Sequence, residues 1–419
     1  MEYHKKNLAK ISLLGLSLGG IFPVQAANPP ATLEEMWKII QHQQQEIEQL
    51  KQQLQTTNQK VEQTEQQVQE TDEKVEATSL MVEEGTTTPT WAENTQFGAY
   101  GELHYNNLQN DKVGGNAKKE LDYHRFVLFL GHKFNDKIRF FSELELEHSL
   151  AGEGKPGEIE LEQAYLDFDI SDQVTMRGGL FLLPIGILNE THEPPVFYGT
   201  ERNPIEKNII PSTWWEGGMG VIGKPLPGLQ YDLAIHSGLE VAAESYNIRK
   251  GRNKVAKASA DNLAITGRLK YTGMKGLELA SSLQYQDDIT QGEDPQAGNA
   301  LLWEAHTIYS WQQFMLKALY ARWKLNGNGP ETTGNDKQWG WYLEPSYKIN
   351  EQFGLFARYN FWDNSAGNDK DTEYQQIDIG LSYWPHSNIV LKLDYQIQDT
   401  PDGKDEFDGF NLGLGYQFY

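Results

Sequence analysis

Cysteine is absent from all 419 residues, so disulfides play no part in holding this chain together. Long apolar runs are nearly absent too. The one that exists, "ISLLGLSLGGIF", follows Lys5, Lys6 and Lys10 and precedes "VQA", with small residues at Val24 and Ala26. That is the pattern of a secretory signal cleaved after Ala26, too short and wrongly flanked for a membrane helix. Basic residues are scarce, 36 against 59 acidic ones, for a formal net charge of −23. Loss of the signal, with its three Lys and one Glu, leaves about −25. Such a surface disfavours nucleic acid and anionic headgroups as main partners. An exported, cysteine-free chain must be stabilised by a core, by oligomerisation or by a lipid bilayer.

Glycine and proline are almost missing between Thr32 and Glu84, where Gln and Glu abound. A strict seven-residue series runs through this stretch: Leu33, Ile40, Ile47, Leu54, Val61, Val68, Val75 and Val82. Heptad spacing held this long predicts a left-handed α-helical coiled coil, here with Met36, Gln43, Leu50 and then Thr57, Thr64, Thr71 and Thr78 at the second seam position. Threonine buries a hydroxyl there, so the seam is weak and association must come from elsewhere. "GTTTPT", Gly85 to Thr90, breaks the pattern.

From Gln96 the period becomes two. "FNLGLGYQFY" sets Phe410, Leu412, Leu414, Tyr416 and Phe418 on one face and Asn411, Gly413, Gly415 and Gln417 on the other. Sixteen such segments of about ten residues can be counted. Short turns ("NDK", "SDQ", "PLPG", "GMKG", "NEQ", "PHSN") alternate with long loops rich in Gly, Asn, Asp and Lys. An even number of strands, loops long at one end only, and aromatics at strand ends predict an all-β, 16-stranded antiparallel transmembrane β-barrel of the outer-membrane type. A secreted all-β binding protein is the competing fold. The expected organisation is a signal peptide over 1–26, coiled coil and linker over 27–90, and barrel over 91–419.

With apolar side chains toward lipid, the polar face of each strand should line a water-filled lumen. The strand phase places Arg125, Arg139, Arg177, Arg268, Lys270, Arg358 and Lys392 there, with Glu143, Glu145, Glu147, Asp167, Asp232, Glu278, Glu304, Glu344, Asp378 and Asp394. The connection Pro184 to Thr213 holds five prolines in thirty residues, too long for a mere crossing and too stiff to wave freely. It should fold into the barrel as a constriction loop, with Glu190, His192, Glu193, Glu201, Arg202, Glu206 and Lys207 facing the basic wall. His192 stands between two acids, but no HExxH and no second His lie nearby, so a metal site is not expected. "GMGVIG" matches GxGxxG inside a strand with no helix after it, and is a chance match whose glycines leave room for the loop. Arg249, Lys250, Arg252, Lys254 and Lys257 form one basic outer loop, suited to anionic solutes or lipopolysaccharide phosphates.

The segment "LPIGILNETHEPPVFYGTERNPIEKNIIPSTWWEGG" resembles the corresponding part of the phosphate-selective porin O and P family, and the stretch from Gln96 to Tyr419 looks like that family along its length. The resemblance implies a trimeric Gram-negative outer-membrane porin with an infolded third long loop, passing small anions, phosphate or polyphosphate among them. It does not reach the lysine cluster of the phosphate-selecting members: the loop offers only Arg202 and Lys207, flanked by Glu201 and Glu206.

The function expected is thus passive diffusion of small, anionic solutes through an outer-membrane pore, with no catalysis and no cofactor. Its partners would be ions or small solutes, outer-membrane lipid and lipopolysaccharide, and two further copies of the chain in a homotrimer. The alternative is a structural tether whose coiled coil reaches into the periplasm or to peptidoglycan. A barrel hydrolase would need a Ser/His/acid set that no motif suggests.

Overall fold

In the computed structural model the described residues are 32–54, excepting 35, 39, 46 and 53, and 90–419, excepting 113 and 114. The chain divides into two units, 1–87 and 88–419. Within the first, the described residues from 33 to 54 are helical, and Leu33, Ile40, Ile47 and Leu54, the first four members of the heptad series, are all exposed. The remaining heptads, from Val61 on, and the signal segment lie outside the described residues.

The second unit is a closed barrel of sixteen antiparallel strands in sequential order. They are β1 (Thr95–Asn110), β2 (Lys118–Asn135), β3 (Ile138–Glu147), β4 (Ile159–Ser171), β5 (Val174–Leu182), β6 (Trp215–Leu226), β7 (Leu229–His236) and β8 (Ala264–Tyr271), then β9 (Leu277–Gln286), β10 (Ala300–Trp311), β11 (Phe314–Leu325), β12 (Lys337–Lys348), β13 (Phe353–Asp363), β14 (Glu373–His386), β15 (Ile389–Asp399) and β16 (Phe407–Phe418). Closure comes from β1 pairing with β16, in register from Ala99↔Phe418 to Asn110↔Phe407. With no free edge, every strand finds hydrogen-bond partners on both sides, which is what a bilayer interior demands.

Alternation is cleanest in β15. Leu391, Leu393, Tyr395 and Ile397 are exposed outward, while Val390, Lys392, Asp394 and Gln396 are buried inward. Exposed Trp311, Phe314 and Tyr347 cluster beside the short turns, with the Phe314 and Tyr347 rings 4.7 Å apart, as in an interfacial aromatic girdle. The strands are less uniform than the sequence suggests: β1 and β2 extend to 16 and 18 residues, and β6 runs on through "KPL" to Leu226.

One expectation fails on the inner face. The polar side of each strand was expected to line water, yet Ala300, Leu302, Leu319, Ala321, Trp323 and Leu325 point inward from β10 and β11 and are buried. These positions are apolar on both faces because the constriction loop covers the inner one. The glycines that make room for that loop lie not in "GMGVIG" but on other strands. A Cβ at Gly415 would come within 2.2 Å of Pro194, and one at Gly354 within 2.4 Å of the Tyr198 hydroxyl. Gly218, by contrast, clears the backbone of the neighbouring β7 at Ile235.

The outward position of Leu412, in mid-β16, gives a direct test of the lipid face. Leu412→Arg should cost about 2–4 kcal/mol of folding stability in lipid vesicles, whereas a polar residue at the inward Asn411 is tolerated; urea-dependent folding would measure both.

Candidate functional site

The loop between β5 and β6 turns into the lumen and is fixed there by an apolar core. Leu183, Ile185, Ile205, Ile209, Ile210 and Trp214 are fully or almost fully buried and share one cluster with Leu302, Leu319, Trp323, Tyr342 and Trp362 of β10 to β13. Trp323 donates its indole N–H to the Ile209 carbonyl at 2.9 Å, and its ring lies 6.2 Å from that of Trp214. Asn189 closes the loop's base. Its Nδ2 donates to the carbonyls of Leu183 (2.8 Å) and Trp214 (3.0 Å), and its Oδ1 accepts the Trp214 N–H at 2.7 Å.

Packed on one side of the barrel, the loop leaves a cavity of about 450 Å³ on the other, between itself and β1 to β4. The strand side of this cavity is acidic: Glu102, Glu145, Glu147, Glu160 and Glu162, with Glu158 at its rim. Facing them are Arg202 and Lys207 of the constriction loop and Arg249, Arg252 and Lys254 of the loop between β7 and β8. Acids thus predominate on the wall, beside Arg125 and Lys118, and cations on the two loops, beside Glu201. The reason lies in what each wall cation touches.

Arg125 is 3% exposed and donates its Nε–H to Glu102 at 2.6 Å. Arg358 binds Asp378 at 3.0 Å and Glu344 at 3.1 Å, and Arg177 takes Asp167 at 2.8 and 3.0 Å while lying 3.8 Å over the Tyr165 ring. Arg268 is held by Asp232 at 2.9 Å and by Glu190 of the loop; Arg139 pairs with Asp169. Lys392 sits 3.6 Å over the Phe197 ring, buried, and Lys270 borders the short turn Pro225–Gly228 at the opposite rim. Desolvated cations require partners, and carboxylates supply them to the five wall arginines, which are neutralised before a solute arrives, whereas the buried Lys392 Nζ has no hydrogen-bond partner.

The seven candidate loop residues separate in the same way. Glu201 meets His104 Nδ1 and Asn106 Nδ2, each at 3.2 Å, and borders the cavity with Arg202 and Lys207. Glu190 is spent on Arg268, and Glu193 accepts from the Tyr419 hydroxyl at 3.1 Å. Glu206 is not at the aperture. It is 2% exposed and accepts the N–H groups of Ile187 and Leu188, both at 2.6 Å, the Asn203 amide at 2.8 Å and the Tyr342 hydroxyl at 3.2 Å. His192 is buried against β3 and β4.

The basic outer loop does not reach outward as a whole. Arg252 donates to the carbonyls of Ser212 and Thr213, the latter at 2.6 Å, and Arg249 to that of Lys207 at 3.1 Å. Lys254 bonds Glu158 at 2.6 Å and also Glu160. Only Lys250 and Lys257 stay exposed. Burial first, then Arg252 and Arg202 beside it, pushes the Arg249 guanidinium down to about 10, and it stays charged at neutral pH. Burial lowers Arg202, Lys207 and Arg252 as well. Their surplus of charge was visible in the sequence; their inward fold was not.

A closed sixteen-stranded barrel with an infolded, charge-lined constriction defines a porin-type outer-membrane channel. Residues 228–403 match a family model described as Gram-negative porin. A protein of Aquifex aeolicus (strain VF5), described as uncharacterized, is 31% identical over 362 residues, 77% of this chain and 79% of that one. The chain belongs to one family with it, and that family has the porin fold. The fold is shared with the anion-selective porin from Comamonas acidovorans, at TM-score 0.56 and 12% identity, covering 77% of this chain and 100% of that one. It is shared too with OmpT of Vibrio cholerae in its trimer form, at TM-score 0.51 and 10% identity, covering 78% and 100%.

The loop's apolar anchor can be tested apart from its charges. Trp214→Ala removes a fully buried ring, costing about 3–5 kcal/mol of loop packing. Single-channel records of the variant in planar bilayers should show larger and noisier conductance, with the barrel still forming.

Proposed function

We propose that this protein is a passive channel for small hydrophilic solutes, and that small anions, phosphate-like ones among them, travel along its loop-borne cations. One observation carries the reading. Arg202, Lys207, Arg249 and Arg252 line the cavity side by side, and the hydrogen bonds of the three arginines go to carbonyls and a Thr hydroxyl instead of carboxylates. Crowded like charges with no acidic partner are relieved by a passing anion, while Glu145, Glu147 and Glu162 across the gap attract the opposite charge. A solute is thus oriented in a transverse field and selected by size and dipole as well as by net charge. The resemblance of residues 183–218 to the phosphate-selective porins supports the same class of solute.

Association as a homotrimer fits this reading, since the Vibrio relative in fold forms trimers. A trimer would bring three copies of the exposed Leu33–Leu54 seam together, and the heptad series would then continue as a periplasmic coiled coil. The tether alternative draws on that same exposed seam. Deleting residues 27–90 distinguishes the two: a channel keeps its conductance and a tether loses its purpose.

The permeation test is the reversal potential in a KCl gradient, followed by addition of phosphate. Arg249→Ser with Arg252→Ser should lower the anion-to-cation permeability ratio several-fold, on the order of 1 kcal/mol in the barrier each cation lowers. An unchanged reversal potential in the double variant would sink the assignment of these cations to the permeation path.

A further inference from the structure

Where the constriction loop meets the acidic wall, three buried side chains from distant parts of the chain point at one spot. His192 of the loop, Glu143 of β3 and Glu162 of β4 are 3%, 2% and 1% exposed. His192 Nε2 lies 3.7 Å from Glu143 Oε1 and 3.8 Å from Glu162 Oε2, beyond hydrogen-bond range. Both His192 Nε2 and Glu162 Oε2 are without a hydrogen-bond partner.

The tautomer sharpens this. His192 Nδ1 stands 3.1 Å from the Asn189 carbonyl, which only accepts, so Nδ1 carries a proton. In the neutral ring Nε2 then presents a lone pair to two buried carboxylate oxygens. That arrangement is repulsive unless a cation, a proton or a metal ion, sits between them. Arg125 does not fill the role. Its Nε–H is taken by Glu102, one Nη donates to the His192 carbonyl at 2.8 Å, and the other is 4.0 Å from Glu145.

We infer that His192, Glu143 and Glu162 bind a divalent first-row transition metal ion of the zinc class, which fastens the constriction loop to the wall. The three ligand atoms all lie within 4.8 Å of one another; those about 2.0–2.1 Å from zinc stand roughly 3.4 Å apart in a tetrahedral site, so the two His192–carboxylate separations need close by only a few tenths of an ångström. The surroundings match those of ligating groups. The ring's other nitrogen is committed to a backbone carbonyl, and Glu143 is steadied by Gln163 at 2.6 Å and by the Tyr100 hydroxyl at 3.3 Å. One imidazole with two carboxylates favours zinc over calcium or magnesium. Entry is provided for, since Glu162 lines the cavity. The other histidine cluster, Asp122, His124 and His148 at the mouth, lacks this signature: both imidazoles already hydrogen-bond Asp122, at 3.2 and 2.8 Å.

The full mature protein in detergent, stripped with a chelator and desalted, would be titrated with zinc chloride and its bound metal determined by mass spectrometry. Cobalt(II) substitution would report coordination through its visible absorption. One zinc per chain is expected, with affinity at least about tenfold weaker in His192→Ala and in Glu162→Gln, and unchanged in Asp122→Asn. No stoichiometric zinc, zinc retained equally by both ligand variants, or zinc lost only in Asp122→Asn would each overturn the site. Should His192→Ala fail to form barrels, the near-isosteric Glu162→Gln decides. The outcome is independent of which ions permeate, because metal content is read without any flux.

Discussion

Everything in the barrel depends on the ladder between β1 and β16. Backbone groups exposed in hydrocarbon cost several kcal/mol each, so a sheet in a bilayer must have no edge. Joining the first strand to the last satisfies that demand and fixes the strand phase. One set of alternating residues then faces lipid and is confined to apolar types, as along β15. The other set is released from that constraint and can be whatever the interior requires.

The interior requires two different things on its two sides. Against β10 to β13 it is a protein core, where Trp323 and Leu302 pack on Ile209 and Trp214 and water is excluded. Against β1 to β4 it is an aqueous slot lined by charge. The division follows from the loop, whose Ile and Trp residues must be buried somewhere and cannot reach the lipid. Burying them on one wall leaves the opposite wall to the solute. Arginines in the strands are held by acids, as Arg358 is by Asp378 and Glu344, because an unpaired charge there would cost several kcal/mol. Cations on the loops border solvent and escape that requirement, which is why the free positive charge of the aperture is carried by loops.

Strand number and the alternation of short and long connections were legible in the sequence, because each follows from a period or a length. The polarity of the aperture was not. Side-chain phase shows that Arg125 and Glu102 both face inward, but their mutual neutralisation depends on cross-strand register, Glu102↔Arg125, which no single-strand pattern encodes. Glu206 misled for a related reason. Its carboxylate looks like an aperture charge in a loop of charges, yet two backbone N–H groups of Ile187 and Leu188 claim it. The basic stretch around Arg249 and Arg252 announced its charge but not its direction, which the carbonyls of Ser212 and Thr213 determine.

A transverse field selects only if its two sides hold their separation while solutes pass, and the strand side is rigid by virtue of its ladders. The loop side has no ladder, so its rigidity must be assembled from other interactions. Burial of Ile205 and Trp214 fixes its back, Asn189 ties its two ends together, and Glu206 holds its inner turn. Arg249 and Arg252, reaching over from the next long loop, grip the carbonyls of Lys207 and Thr213 and so serve at once as lining charge and as brace. Substituting these arginines therefore acts on two quantities, the charge a solute meets and the position of the loop that bears it. Reversal potential responds to the first and conductance noise to the second, so the two roles separate in one recording. Positional rigidity and the charge invoked in the proposed selection are in this way properties of the same few contacts.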